Sequence, residues 1–369
     1  MKFLFCALLA FSSVFLIAHA VEPIEMGSRG VSNFIARMEK EQKAQVAFLG
    51  GSITQNKNGH SRMVAEWLEK EYPHVDFTFI NAGLSSTCSV TGAFRVGEDV
   101  LSKDQIDLLI VEFAVNDNQD AGHDRQTAIR GLEGILRQYF SANPTGDAIS
   151  VQYVNPEILK NHQDGNPTVS VEAHKAVARH YDIPIVDVGL ALAREIEAGR
   201  MTWKEDYHET HPNQKGYRFA SGLITQVISD TVSGETPQTV TLPDPLDALS
   251  YSGVQRVDPR ALNWLGGWKF APVSKDLLPV GSIRSDYGKF QALRSESEGD
   301  YLYYTFQGTM IGAFILAGPD AGALEVSVDA GEWERVELYH RFSENLNYPR
   351  SVILADGLSN AYHQIAIRT

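Results

Sequence analysis

The chain has 369 residues, of which 43% are hydrophobic and 21% are charged, and this length allows two domains. Its formal net charge is −14 at pH 7, with a sequence pI near 5.2. Because an acidic surface repels phosphate, this charge argues against nucleic acid or an anionic membrane as the main partner. The sequence does not indicate an oligomeric state.

The first twenty residues have the pattern of a secretory signal peptide. An apolar run follows Lys2, and residues 18–20 (Ala-His-Ala) satisfy the small-x-small cleavage rule. We therefore expect a secreted or periplasmic protein without membrane contact after cleavage, and an uncleaved anchor is the alternative. Because Cys6 leaves with this segment, Cys88 is the one cysteine of the expected mature chain and cannot form an internal disulfide.

Strands and helices alternate between residues 21 and 233, which we assign to a first domain. Apolar runs predict strands over 45–49, 76–80, 107–113, 148–154 and 183–188. Apolar residues at helical spacing predict helices over 61–72, 126–140 and 171–181, and a last helix from Gln214. Strands separated by helices in this way predict a parallel sheet covered on both faces, a three-layer α/β/α fold.

The composition changes after residue 233. Residues 234–250 contain three prolines and are predicted to form a linker. Residues 251–369 are assigned to a second domain, with short strands predicted over 301–306, 311–316, 324–328, 335–338, 351–354 and 363–367. Alternating apolar residues cut by turns at this spacing predict an all-β sandwich of jelly-roll type.

Four short motifs, most of them next to a predicted strand end, are candidates for one site. Ligands gather at the carboxyl ends of the strands in an open α/β sheet, so these motifs can converge there. The first is Gly50-Gly51-Ser52-Ile53-Thr54, in which two glycines permit a tight turn that exposes the Ser52 hydroxyl. The structural alternative is that Ser52 is an ordinary helix N-cap.

The other three motifs are Asn81-Ala82-Gly83, Val115-Asn116-Asp117 and His211-Pro212-Asn213. The Gly83 N–H and the Asn116 side chain can donate hydrogen bonds to an oxyanion, and Asp117 can brace its loop. His211, on a loop before a helix, can take the serine proton and return it to a leaving alcohol. Each of these motifs alone is also typical of an ordinary turn or a structural histidine.

In this order, the four motifs resemble those of the SGNH (GDSL-like) hydrolase family over residues 44–225. The resemblance implies a flavodoxin-like α/β/α domain in which Ser52 attacks an ester carbonyl and His211 acts as general base. It also implies an oxyanion hole formed by the Ser52 N–H, the Gly83 N–H and the Asn116 side chain. No cofactor is implied.

Two positions differ from the family pattern. Gly51 stands where the Gly-Asp-Ser motif has aspartate, and His208 stands where the family usually has the aspartate that orients the catalytic histidine. His208 can form a hydrogen bond but supplies no negative charge. Asp206 is therefore our first candidate for the partner of His211, and Glu209 or a backbone carbonyl are the alternatives.

Several residues near these motifs have a second interpretation. Residues 208–211 are one residue short of a His-Glu-x-x-His motif, so no metal is predicted, and Cys88 is interpreted as a small buried side chain. Arg95 is a candidate for binding an anionic substrate group, with a structural salt bridge as the alternative. Trp203, shortly before His211, is a candidate for stacking on a sugar face.

An exported family member with an accessory β-domain most resembles the carbohydrate esterases. The resemblance implies removal of O-acetyl or other short acyl groups from a polysaccharide or oligosaccharide. Two alternatives remain open. The chain is either an esterase for a non-carbohydrate acyl group, of lysophospholipase or thioesterase type, or a catalytically weakened glycan-binding protein whose β-domain carries the function.

Overall fold

The computed structural model describes residues 22–103, 105–234 and 236–369. The predicted signal peptide, residues 1–20, lies outside the described residues. Within the described part of the chain, no helix is long and apolar enough to cross a membrane.

The first domain is built on one six-stranded sheet. Its strands are β1 (Ile24–Glu25), β2 (Lys43–Gly50), β3 (Asp76–Gly83), β4 (Leu108–Glu112), β5 (Asp147–Gln152) and β6 (Ile185–Asp187). They lie in the order β1-β6-β5-β4-β2-β3, and β2 to β6 are parallel, whereas the short edge strand β1 pairs antiparallel with β6. The five parallel strands therefore have the flavodoxin-like order, and the predicted parallel sheet is confirmed.

Helices cover both faces of this sheet. They are α1 (Ser32–Glu41), α2 (Ser52–Gln55), α3 (His60–Glu71), α4 (Ser89–Asp99), α5 (Arg125–Ala142), α6 (Pro156–Gln163), α7 (Val169–His180), α8 (Val188–Glu197) and α9 (Gln214–Asp230). One core packs the sheet against α1, α3, α8 and α9, and the other packs it against α4, α5 and α7. Val46 and Phe48 of β2 enter the first core and Ala47 and Leu49 the second, which is why this strand is apolar without a break.

The second domain is all-β. Its strands are β7 (Asn263–Leu265), β8 (Lys269–Pro272), β9 (Gln291–Arg294), β10 (Tyr301–Gly308), β11 (Ile311–Ala317), β12 (Ala323–Val328), β13 (Glu334–Glu337), β14 (Tyr348–Ala355) and β15 (Ala361–Arg368). A five-stranded antiparallel sheet, β13-β12-β15-β10-β7, packs against the β11-β14 pair through Leu302, Ile365 and Ile367 on one side and Val352 and Leu354 on the other. This arrangement confirms the predicted sandwich.

The chain between the two domains packs along the first domain. The Glu133 carboxylate on α5 accepts hydrogen bonds from the backbone N–H groups of Leu246 (2.6 Å) and Asp247 (3.0 Å). Tyr251 is buried in the core beside α4 and α5, and its carbonyl accepts a hydrogen bond from Gln138 (2.7 Å). Residues 236–250, the described part of the predicted linker after residue 235, are therefore held along the first domain. The predicted domain limits themselves stay predictions.

Candidate active site

The predicted motifs converge at the carboxyl ends of three neighbouring strands. Gly50, the last residue of β2, pairs in register with Gly83 at the end of β3 and with Glu112 at the end of β4. The connections that leave β2 and β4 run in opposite directions along the sheet, which opens a crevice at this edge. The topology therefore brings together strand ends that are up to about sixty positions apart in sequence.

Ser52 and His211 are in hydrogen-bond contact at this edge. The Ser52 Oγ lies 2.7 Å from the His211 Nε2. Ser52 is the first residue of the short helix α2, which begins directly after the glycine pair. His211 lies on the exposed loop before α9, whose first turn is capped by the Asn213 side chain through the backbone N–H groups of Lys215 and Gly216 (2.9 and 3.0 Å). The cap fixes where the helix begins and so limits where His211 can lie.

The Glu112 carboxylate, at the end of β4, holds the turn that carries Ser52 through hydrogen bonds. Its Oε1 accepts hydrogen bonds from the Gly51 N–H (3.0 Å), the Thr54 N–H (3.3 Å) and the Thr54 hydroxyl (2.5 Å). Glu112 is 1% exposed, and burial raises the pKa of its carboxyl to about 7, against the opposing effect of these hydrogen bonds. Sequence reasoning missed this residue, although a lone acidic residue at the end of an apolar strand was a visible signal.

Positions 50 and 51 require glycine because neighbouring side chains approach the turn closely on both sides. A Cβ on Gly50 would lie 2.2 Å from the Glu112 Oε1, and one on Gly51 would lie 2.2 Å from the Asn116 Oδ1. Neither neighbour is free to move far, because both are buried. The space that a side chain at position 51 would need is therefore filled by Asn116, which explains why this chain has Gly-Gly-Ser.

The three predicted oxyanion donors differ in what they contact. In the described part of the chain the Ser52 N–H has no hydrogen bond. The Gly83 N–H donates to the Asn81 Oδ1 at 2.9 Å. The Asn116 Nδ2 donates to the Asp120 Oδ2 at 2.7 Å, and its second hydrogen remains for another acceptor. Asp120, which sequence reasoning did not single out, thus orients Asn116. The oxyanion-hole role of these groups stays a prediction.

Asp117 braces the loop that carries Asn116. It is fully buried and accepts hydrogen bonds from the Ser89 N–H (2.8 Å) and the Ser89 hydroxyl (2.6 Å), while the His174 Nε2 lies 2.9 Å away. Burial alone would raise the pKa of this carboxyl, but the imidazoles of His123 and His174 outweigh burial and hold the pKa of Asp117 well below its usual range. The start of α4 is thereby tied to the loop after β4.

The structure places Asp206, the first candidate partner of His211, in other contacts. Asp206 accepts a hydrogen bond from the Thr202 N–H (2.8 Å) and forms an ion pair with Lys215 (2.9 Å). His208 is exposed, with its backbone at φ 99°. Among the described residues, the one hydrogen bond of His211 is that with Ser52. The geometry is therefore a Ser–His dyad, and the catalytic roles of Asp206 and His208 stay predictions.

Arg95 lies beneath the site rather than at its opening. Its guanidinium donates hydrogen bonds to the carbonyls of Ala82 (2.7 Å) and Gly50 (2.8 Å) and forms an ion pair with Asp99 (2.8 Å). These contacts join the ends of β2 and β3, which matches the structural alternative named for this residue. A substrate-binding role for Arg95 stays a prediction.

Trp203 stacks on Tyr207, with ring centroids 5.0 Å apart and an angle of 24° between the rings. Both residues belong to a π-helical turn, Trp203–Tyr207, that precedes the His211 loop. Because one face of the half-buried indole packs on Tyr207, at most the other face is left for a sugar. Sugar stacking by Trp203 stays a prediction.

The β-domain contacts the two loops that carry Gly83 and Asn116. Arg284 donates a hydrogen bond to the Ser86 hydroxyl (2.5 Å), and the Tyr287 hydroxyl donates to the Ser85 carbonyl (3.2 Å). On the other loop, the His340 Nε2 lies 2.8 Å from the Asp120 carbonyl oxygen. The second domain therefore forms part of the wall beside the dyad.

The sequence matches one family in the region of this site. Residues 48–219 match the sequence model of the GDSL-like lipase/acylhydrolase family, and this range includes Ser52, Gly83, Asn116 and His211. Among curated proteins, none matches the chain.

Two solved structures share the two-domain fold over most of its length. Both are crystal structures of a two-domain esterase (CEX) active on acetylated mannans. The one co-crystallised with mannopentaose has a TM-score of 0.73 and 24% identity, covering 93% of this chain and 90% of the other. The second has a TM-score of 0.74 and 23% identity, covering 93% and 91%. At these identities the likeness describes the fold.

The family match and the geometry agree on the type of chemistry. A serine hydroxyl within hydrogen-bond distance of an imidazole is the arrangement required for nucleophilic attack on an acyl carbon. Residues 48–219 of the first domain belong to the GDSL-like lipase/acylhydrolase family, and the chain is a carboxylic ester hydrolase.

Proposed function

We propose that this chain is an exported carbohydrate esterase that removes O-acetyl or other short acyl groups from a polysaccharide or oligosaccharide. The observation that carries the proposal is the 2.7 Å contact between the Ser52 Oγ and the His211 Nε2 at the carboxyl ends of the parallel strands. The carbohydrate part is supported by the fold shared with an esterase active on acetylated mannans.

The proposed reaction has two halves. His211 accepts the Ser52 proton as the hydroxyl oxygen attacks the ester carbonyl, and it then gives that proton to the leaving sugar hydroxyl. A water molecule, deprotonated by His211, attacks the acyl-enzyme and releases the carboxylic acid. The donors proposed for the oxyanion are the Ser52 N–H, the free hydrogen of Asn116 and the Gly83 N–H, which would exchange its present bond to the Asn81 Oδ1 for the oxyanion. Losing one such donor typically costs about 10²–10³ in rate.

The surroundings of the dyad fit a polar, extended substrate. The wall that the β-domain adds to the site contains Arg284, whose guanidinium has N–H donors beyond the one that binds the Ser86 hydroxyl. Hydroxyl-rich ligands are bound through such polar groups together with aromatic faces, and Trp203 and the exposed Tyr339 and Phe342 are aromatic residues available for that purpose.

The test is acetate release from acetylated mannan, acetylated xylan and other acetylated polysaccharides by wild type and Ser52→Ala. Ser252→Ala, at an exposed serine, is the matched control and should retain full activity. Release that is lost only in Ser52→Ala supports the proposal. Turnover of simple aryl acetates without release from any polysaccharide refutes the carbohydrate assignment and leaves the esterase intact, so acyl lipids and thioesters would be tested next.

Covalent labelling separates an enzyme from a catalytically weakened binding protein. A fluorophosphonate probe should modify Ser52, and His211→Ala should slow that reaction because it removes the general base. Glycan binding by a folded protein that resists labelling would refute the catalytic mechanism.

Export is a separate part of the proposal and rests on the first twenty residues. Expression of the full chain in a secreting host should yield a mature protein that begins at Val21. A chain that keeps Met1 and sediments with membranes would instead support the uncleaved anchor.

A further inference from the structure

Three side chains that commonly bind transition metals meet close to the dyad. They are Cys88, Asp117 and His123, and one ligand atom of each lies within 4.8 Å of the other two. Cys88 is 8% and Asp117 0% exposed, while the side chain of His123 is 13% exposed and so reaches the surface. None of the three belongs to the Ser52–His211 dyad or to the proposed oxyanion donors.

The chemistry of the three ligands favours zinc. A thiolate, an imidazole and a carboxylate are the side chains that bind Zn²⁺ in proteins, whereas Mg²⁺ and Ca²⁺ prefer oxygen ligands alone. A site with three protein ligands and one water is a common zinc arrangement. Ligand atoms in a tetrahedral zinc site are roughly 3.3–3.8 Å apart, given bonds of about 2.0–2.3 Å, so atoms at the 4.8 Å limit of this cluster would approach one another by about 1–1.5 Å when the metal binds.

Two of the three ligands are fixed in place by other groups. Asp117 is held by the Ser89 N–H and hydroxyl (2.8 and 2.6 Å) and by His174 (2.9 Å). Cys88 is the N-cap residue of α4, directly before Ser89, and its Sγ lies 3.6 Å from the Thr91 hydroxyl oxygen. Hydrogen bonds of this kind orient ligand groups and commonly contribute to metal affinity.

His123 supplies the observation that points to a ligand. Its Nδ1 is buried, and among the described residues it has no hydrogen-bond partner. The nearest carboxylate oxygen, the Asp117 Oδ1, is 3.4 Å away, a distance within the range of an ion pair but longer than a good hydrogen bond. Gly122, with φ 61°, precedes His123 and gives the chain a turn at which the imidazole can adjust.

We propose that Cys88, Asp117 and His123 bind one zinc ion, with a water molecule completing the tetrahedron from the exposed side of His123. The ion would connect the start of α4 to the loop after β4, which also carries Asn116. Its role is structural: it stabilises the wall of the site and takes no part in ester hydrolysis.

Metal binding is tested on tag-free protein that has been treated with a chelator and then equilibrated with micromolar Zn²⁺. After gel filtration, wild type should retain one zinc per chain, and Cys88→Ser and His123→Gln should retain at least tenfold less. His74→Gln, which removes an exposed histidine elsewhere on the surface, is the control and should bind like wild type. Equal binding by wild type and Cys88→Ser, or no binding by wild type, would overturn the proposal.

Two further measurements do not depend on the folding of a variant. Co²⁺ added to the wild-type protein should give a near-ultraviolet thiolate-to-cobalt charge-transfer band, which shows directly that sulfur is a ligand. Zn²⁺ should also slow the labelling of Cys88 by a thiol reagent at least tenfold, with the modified residue located by mass spectrometry. Zinc uptake without the band and without protection of Cys88 would place the metal elsewhere and refute the site.

Discussion

Replacing Glu112 with glutamine should change the pH dependence of the protein's stability without moving the Ser52 turn. Glutamine keeps an oxygen acceptor for the Gly51 and Thr54 donors that Glu112 now satisfies. Its amide group replaces the Oε2, which is buried and has no hydrogen-bond partner among the described residues, so the amide hydrogens lack an acceptor at a cost of about 1–3 kcal/mol that does not depend on pH. The substitution therefore removes a buried charge and preserves the hydrogen bonds to the turn.

The size of the expected change in unfolding free energy follows from the pKa of Glu112. A pKa of about 7 in the folded protein, against 4.5 for the unperturbed side chain, corresponds to about 3 kcal/mol. Between pH 4.5 and 7 the folded state holds a proton that the unfolded state has released, so this group lowers the stability of wild type as the pH rises through that range. The difference in unfolding free energy between Glu112→Gln and wild type should therefore grow by about 3 kcal/mol from pH 4 to pH 8.

The assay is urea unfolding at pH values between 4 and 8, with hydrogen exchange of β2 amides to identify the transition of the first domain. Subtracting the wild-type curve cancels all other titrating groups, which are the same in both proteins. Glu112→Leu is the matched control, because it leaves three donors of the turn unpaired at about 1–3 kcal/mol each and should reduce ester hydrolysis about 10²-fold or more. A stability difference that is independent of pH would refute the assignment of a buried, neutralised carboxyl at this position.

The remaining predictions concern the dyad and one buried histidine. Ser52→Ala and His211→Ala should each reduce ester hydrolysis at least about 10³-fold, as measured by acetate release, and the double variant should be little worse than either because the residues act as a unit. Asp206→Asn should change kcat less than about fivefold, since Asp206 contacts Thr202 and Lys215 rather than the imidazole; a loss near 10⁴ would show that it orients His211. Burial lowers the pKa of His60 to about 3. The free energy of unfolding should therefore fall by up to about 5 kcal/mol as the pH drops from 6.5 towards 3. Thermal unfolding of His60→Phe should depend less on acid pH than that of wild type.

The sequence predicted the long elements of the fold because their apolar patterns are unambiguous. The strand predicted over 45–49 is part of β2, and the helix predicted over 61–72 is α3, shifted by one residue. Segments such as β1, with two residues, and α2, with four, were missed because so few residues show no period. Their formation depends on pairing with β6 and on the close packing around the glycine pair, which are tertiary contacts.

The main partners of the dyad were predictable, but the groups that support them were not. Ser52 and Asn116 each follow a strand and Gly83 ends one, and parallel strands place their carboxyl ends together, so the sequence order was sufficient. The roles of Glu112 and Asp120 arise from single side-chain contacts, with the Ser52 turn and with Asn116. Such contacts depend on side-chain direction and burial, which a strand or loop assignment does not provide.

The absence of an aspartate three residues before His211, where this chain has His208, is consistent with the exposed position of the imidazole. In a buried triad the carboxylate stabilises the imidazolium that forms during acyl transfer, because water is excluded. His211 is exposed, so water can solvate that charge and the energetic need for a carboxylate is smaller. An ester also demands less of the base than an amide, since the alkoxide of a sugar hydroxyl leaves more readily than an amine anion. A solvated Ser–His dyad is therefore matched to ester substrates, and the same argument predicts no measurable cleavage of the corresponding acetamides.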